Sequence, residues 1–216
     1  MALLSLLSSI SADWIEKECD NIEITKRGLS CEFNNMLVPE LTHVNIVERN
    51  TSIDCVSFRQ SEIHMLPQDV FAKFPYLKYV DVELSQLKVI KANNFRGADE
   101  LKYFLARFNG ISSIESETFF QAPKLKFILL QFNQISNIHA QAFKGLDVLE
   151  ALYLDDNRIT TLSEYTLDYL PSLLHFSMSF NNLTSIPDKL FMKTTRLETL
   201  NLGHNLLQHF NETQFH

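Results

Sequence analysis

A step of 24 residues governs this sequence from residue 53 onward. Ile53, Leu77, Leu101, Leu125, Leu149, Leu173 and Leu197 follow one another at that interval without a slip. Three residues after each stand Val56, Val80, Phe104, Ile128, Leu152, Phe176 and Leu200, and two further on Phe58, Val82, Ala106, Leu130, Leu154, Met178 and Leu202. Apolar residues two apart line one face of a strand. A single coil of this length cannot bury its own apolar side. Successive coils therefore stack, and each strand pairs in parallel with its neighbours at about 4.8 Å per step, giving a sheet roughly 30 Å wide.

A polar column follows the strand: Ser61, Ser85, Asn109, Asn133, Asn157, Asn181 and Asn205. An amide there both donates and accepts, so it can satisfy backbone groups that the turn out of the strand leaves unpaired; the two serines can do so only in part. Next come Ile63, Leu87, Ile111, Ile135, Ile159, Leu183 and Leu207, and on the return half Phe71, Phe95, Phe119, Phe143, Leu167, Phe191 and Phe215. That last column explains six of the 17 phenylalanines and predicts rings stacked inside the opposite wall.

The pattern L-x-x-L-x-L-x-x-N-x-L, seven times over, resembles the leucine-rich repeat family in its 24-residue extracellular form. The resemblance implies an α/β-type solenoid, a horseshoe with a parallel β-sheet on the concave face and mostly irregular or short helical turns on the convex side. The segment Ser57–Phe71, SFRQSEIHMLPQDVF, and the short divergent N-terminal region are similar to insect extracellular leucine-rich immune proteins and Toll-like ectodomains. This narrower likeness implies innate immune recognition ahead of adhesion or axon guidance, although these residues show neither the coiled coil of the former nor a membrane anchor or signalling domain.

Residues 1–12, MALLSLLSSISA, read as the apolar centre and small-residue exit of a secretory signal lacking its basic flank, or as a disordered terminus. Residues 13–52 read as an N-terminal cap whose hairpin or edge strand covers the first coil, with Trp14, two cysteines and the alternating segment 42–47. Residues 53–216 then hold seven repeats, the last incomplete. Three cysteines leave at least one outside any intrachain bridge; Cys19 with Cys31 is the preferred pair, with Cys31 to Cys55 open. Sequons at Asn50, Asn182 and Asn211 agree with export. No apolar run is long enough for a transmembrane helix, so the expected location is extracellular, or the outer face of the plasma membrane within a longer receptor.

With 45% apolar and 21% charged residues the chain is expected to fold, and a net charge of -7 with a pI near 5.5 argues against nucleic acid or anionic lipid as partner. Scattered histidines, the isolated pair Asp155–Asp156 and the lack of nucleophile, phosphate or metal motifs lead us to expect no enzyme, cofactor or metal. Between the buried strand positions three columns should face out from the concave sheet. Tyr79, Tyr103, Phe127, Leu105, Leu129 and Tyr153 fall side by side there, a patch on the order of 300 to 500 Å², bordered by Arg59, Glu83, Arg107 and Asp155. Apolar centre and charged border predict a protein-binding face that uses Tyr79, Tyr103, Leu105, Arg107, Phe127, Leu129 and Tyr153. Leu84, Phe108, Phe132 and Phe180, just before the polar column, are read as structural. An alternative is a structural or adhesive subunit that assembles with itself or a further domain through the C-terminal coil.

Overall fold

The computed structural model describes residues 15–17, 21–25, 28–33, 44–46 and 53–209, with side chains for 31–33 and 53–209. Each repeat contributes one three-residue strand: Cys55–Ser57, Tyr79–Asp81, Tyr103–Leu105, Phe127–Leu129, Ala151–Tyr153, His175–Ser177 and Thr199–Asn201. They pair in parallel and in sequence order, with Tyr79 opposite Tyr103, Tyr103 opposite Phe127 and Ala151 opposite His175. The sheet register is thus the sequence period itself, and the expected solenoid with its concave parallel sheet is present.

The strands are short because each coil turns sharply out of the sheet. The residue before every ladder position is left-handed: Gln60, Leu84, Phe108, Phe132, Asp156, Phe180 and His204 have φ between 53 and 59°. None is glycine, and such a conformation costs roughly 1 to 2 kcal/mol each. The ladder side chain at the next position offsets the cost. Asn133 accepts the Ile111 N–H at 3.1 Å through Oδ1, while its Nδ2 donates to the carbonyls of Ala106 and Leu130 at 2.9 and 3.0 Å. Asn157, Asn181 and Asn205 repeat this geometry. Ser85 donates to the Phe58 carbonyl at 2.6 Å but replaces only the donor half of the amide. The acceptor half comes from the backbone, the Ser85 carbonyl accepting the Ile63 N–H at 3.0 Å, and the Oδ1 of Asn109 takes the Ser85 N–H in addition to that of Leu87.

Between sheet and convex wall lies one continuous apolar core. Phe71, Phe95, Phe119 and Phe143 run along it with ring centroids 6.2, 5.1 and 6.1 Å apart. Leu167 interrupts the run, and Phe191 beyond it meets the ring of Phe176 edge-on. The convex side carries a single helical turn at Val70–Lys73, a 3₁₀ turn at Ala92–Phe95, a small parallel pair, Ser113–Ile114 with Asn137–Ile138, and a single parallel bridge between Met65 and Val89; the rest is turns and irregular chain.

At the N-terminal end the strand Gly28–Glu32 extends the sheet parallel to Cys55–Ser57, and Asn21–Thr25 closes it antiparallel. Phe33, fully buried, stacks on Phe58 at 4.9 Å. The alternating segment stands apart from this hairpin: Val44–Ile46 pairs in parallel with Ile15–Lys17 in a separate two-stranded sheet. At the other end Leu197, Leu200, Leu202 and Leu207 pack on the core while only partly buried. Among the described residues no helix is long and apolar enough to cross a membrane. The signal-like stretch 1–12 lies outside them.

Candidate functional site on the concave face

Parallel pairing in register sets like positions of successive coils one strand spacing apart, close enough for rings to touch. Tyr79 and Tyr103 stack with centroids 4.2 Å apart and planes 5° apart, and Phe127 continues the pile at 4.9 Å and 7°. All three are partly exposed, as are Leu129 and Tyr153. The structure therefore brings together the aromatic row that the columns indicate. It also alters its character: stacking uses up the ring faces, so the surface presents edges in place of a flat apolar sheet.

Two other expectations change. Leu105 is 7% exposed, closed in its register row between Asp81 and Leu129, and adds little surface. Glu83 is no rim residue, at 1% exposure. Arg59 approaches it at 3.1 Å and Asp81 at 3.7 Å, while the Arg107 Nε–H donates to Glu83 from the other side. Asp81 in turn accepts the Glu83 backbone N–H at 3.1 Å. Two guanidiniums thus neutralise two buried carboxylates across three strands, as burial requires. Arg107 keeps 38% of its side chain exposed beside the aromatic row.

On the far side Asp155 is equally committed. Its Oδ1 accepts the hydroxyls of Ser177 and Ser179 and the Ser179 N–H, which ties it across strands. The Asp156 carboxyl is raised above the usual aspartate range, first by burial and then by the Asp155 charge. The acidic pair is therefore a structural joint with one strained member. Among the described residues no group of three His, Cys, Asp or Glu side chains is placed to hold a metal.

A second aromatic row stands on the ladder edge. Phe108 and Phe132 stack at 4.5 Å, Phe180 and His204 at 4.1 Å, and the three phenylalanines are 43, 45 and 52% exposed. Treating this column as structural accounts for its left-handed backbone but missed how openly the rings stand in solvent; the signal was the absence of any apolar neighbour column outside it. Asn182 is exposed on the same edge, whereas Asn50 and Asn211 lie outside the described residues. Cys31 and Cys55 are both buried, Cys55 at 3% although it sits in the outward column in register with Tyr79; Cys19 lies outside the described residues.

Three stretches, 101–159, 123–183 and 175–216, match the leucine rich repeat family model, and residues 30–121 match that of the BspA type leucine rich repeat region. No curated protein matches the sequence. Among solved structures, the chain is similar to TLR13 in its complex with the single-stranded RNA ssRNA13, with 24% identity and a TM-score of 0.70 over 76% of this chain and 23% of that one. It also matches a chain of the Drosophila Toll–Spätzle complex, with 22% identity and a TM-score of 0.47 over 79% of this chain and 30% of that one. The chain thus spans about a quarter to a third of the solved chains it matches.

Proposed function

The chain belongs to the leucine-rich repeat family, and we propose that it is an extracellular recognition module that binds a protein on its concave face. The observation that carries this is the continuous stack of Tyr79, Tyr103 and Phe127, partly open to solvent on three adjacent strands. Partly exposed aromatics beside an arginine are the residue types that anchor protein interfaces. Tyr79, Tyr103, Phe127, Leu129 and Tyr153 form its centre, Arg107 its charged margin, and Leu105 supports the sheet beneath.

Three sequons, the signal-like Met1–Ala12 and the proposed Cys19–Cys31 bridge support an extracellular setting, free or as part of a longer receptor. In this reading residues 13–52 close the N-terminal end of the solenoid and innate immune recognition is its role. The chain carries out no catalysis. The RNA bound by TLR13 makes a nucleic acid the competing ligand class, but a net charge of -7 opposes it. The partly buried leucines of the last described coil favour a second reading, assembly through that end.

The test presents the full chain to an array of secreted and cell-surface proteins and to single-stranded RNA. Tyr103→Ala and Phe127→Ala should weaken binding to a protein so found by more than about 2 kcal/mol, while the convex variant Tyr165→Ala leaves it intact. Binding that all three variants retain would move the interface elsewhere. Binding to RNA alone would replace the ligand class.

A further inference from the structure

We propose that Asn182 carries an N-linked glycan whose first sugar packs against the ring of Phe180. The proposal rests on the extracellular reading, because such glycans are added only on the secretory route. It begins from the sequon Asn182-Leu183-Thr184, whose Asn182 and Thr184 are both exposed. The turn there is fixed. Asn181 is held inward by hydrogen bonds to the Leu154 and Met178 carbonyls at 2.9 and 3.1 Å, and the Asn182 N–H donates to the Ile159 carbonyl at 2.9 Å.

The residues before and after a ladder position share one surface. Three repeats earlier, Phe108 and Gly110, the counterparts of Phe180 and Asn182, line a single groove of about 380 Å³ together with Leu84, Gln86 and Gln134. A substituent on Asn182 therefore opens onto the same surface as Phe180, within reach of its ring. That ring is 52% exposed and held broadside by His204, stacked at 4.1 Å and 9°. Among the described residues no ring stacks on its other face, the preceding coil having Asp156 in place of an aromatic.

A pyranose in the β-linked N-acetylglucosamine geometry turns axial C–H bonds to one face. This face is apolar enough to cover an aromatic ring, and its C–H groups point at the negative π-surface. In the transfer itself the Asn182 amide nitrogen loses one proton and bonds C1 of the sugar. Lipid pyrophosphate leaves from the donor, a lipid-linked oligosaccharide of the secretory pathway. The backbone presents Phe180 in position beforehand, so packing requires little further ordering.

The experiment secretes the full chain from eukaryotic cells behind a heterologous signal peptide and trims its glycans to a single N-acetylglucosamine. Mass spectrometry should find Asn182 occupied. Proton NMR should show that sugar's ring protons shifted upfield by the aromatic ring current, a shift lost in Phe180→Ala and kept in Phe180→Tyr. Melting should show that Thr184→Ala, which abolishes the sequon, lowers Tm in the wild type but not in the Phe180→Ala background. An unoccupied Asn182, or an occupied one whose sugar shows no ring-current shift, overturns the proposal. Because the leader is heterologous, failure of Met1–Ala12 to direct export would count against the extracellular reading alone.

Discussion

Asn157 makes four hydrogen bonds with one side chain: its Oδ1 accepts the Ile135 N–H at 2.9 Å, and its Nδ2 donates to Leu130, Leu154 and Asp155 at 2.9, 3.0 and 3.1 Å. All reach backbone that the turn would otherwise leave dry and unpaired. Asn157→Ala should cost about 1 to 3 kcal/mol in urea denaturation, and Asn157→Ser less, since a serine restores a donor as Ser85 does. No loss in the alanine variant would remove this account of the ladder. One residue earlier the electrostatics run against stability. The folded chain holds the Asp156 proton more tightly than the unfolded chain, owing to burial and then Asp155. Ionised Asp156 therefore disfavours folding at neutral pH, and the penalty fades as pH falls through its raised pKa toward the ordinary carboxylate range. Asparagine tolerates the left-handed φ of 54° and carries no charge. Asp156→Asn should raise stability at pH 7, with the difference fading as pH falls through the ordinary carboxylate range; a gain that persisted below it would have another cause.

Each coil's contribution to the convex wall turns on one large side chain. Phe119 is fully buried and lies 5.1 Å from Phe95 and 6.1 Å from Phe143. Phe119→Ala should cost about 3 to 5 kcal/mol, but Phe119→Leu less than about 1.5, because Leu167 fills the same position with no exposure. Equal losses would mean that ring stacking, rather than filled volume, is what the wall requires. These columns were legible in the sequence because burial within a repeat follows the period, and so were the strands, the ladder and the row Tyr79, Tyr103, Phe127. The fate of Leu105 and Glu83 was not. Outward-pointing residues on a concave sheet are covered by neighbours 24 positions away, so whether they close depends on the particular side chains beside them. Glu83 closes because arginines stand on both flanking strands. The left-handed residues were hidden too, since none of the seven is a glycine and the conformation goes with the ladder position beyond it, whether that is an asparagine or, after Gln60 and Leu84, a serine. The sheet's N-terminal edge is made by Asn21–Thr25 and Gly28–Glu32, whose apolar residues Ile22, Ile24, Leu29 and Cys31 alternate with polar or small ones, the same signal that the segment 42–47 carries less regularly.

In a stack where each coil touches only its neighbours, stability is a sum of coil terms and interface terms, and it is unevenly shared. Leu152 and Leu200 occupy the same column, yet their surroundings differ. Leu152 has no exposure and lies in register between Ile128 and Phe176, whereas Leu200 is partly exposed and among the described residues pairs in register with Phe176 alone. In the 216-residue chain Leu152→Ala should therefore cost about 2 to 5 kcal/mol and Leu200→Ala markedly less, because a half-covered side chain has less transfer energy to lose and leaves no closed cavity. The same asymmetry should appear without mutation. Amide hydrogen exchange should be slowest at Phe127–Leu129 and Ala151–Tyr153 and quicken through His175–Ser177 to Thr199–Asn201, where the outer strand opens at the expense of one interface only. Anything that seats on this end, whether a second copy or a further domain, adds an interface term there, so it should slow exchange at Thr199–Asn201 most and leave the central strands almost unchanged. Sedimentation of the chain at rising concentration, followed by exchange at each, separates the cases: protection that rises at the end strand with self-association identifies a copy-to-copy contact there. Uniform protection along all seven strands in a monomeric chain would refute the nearest-neighbour account altogether.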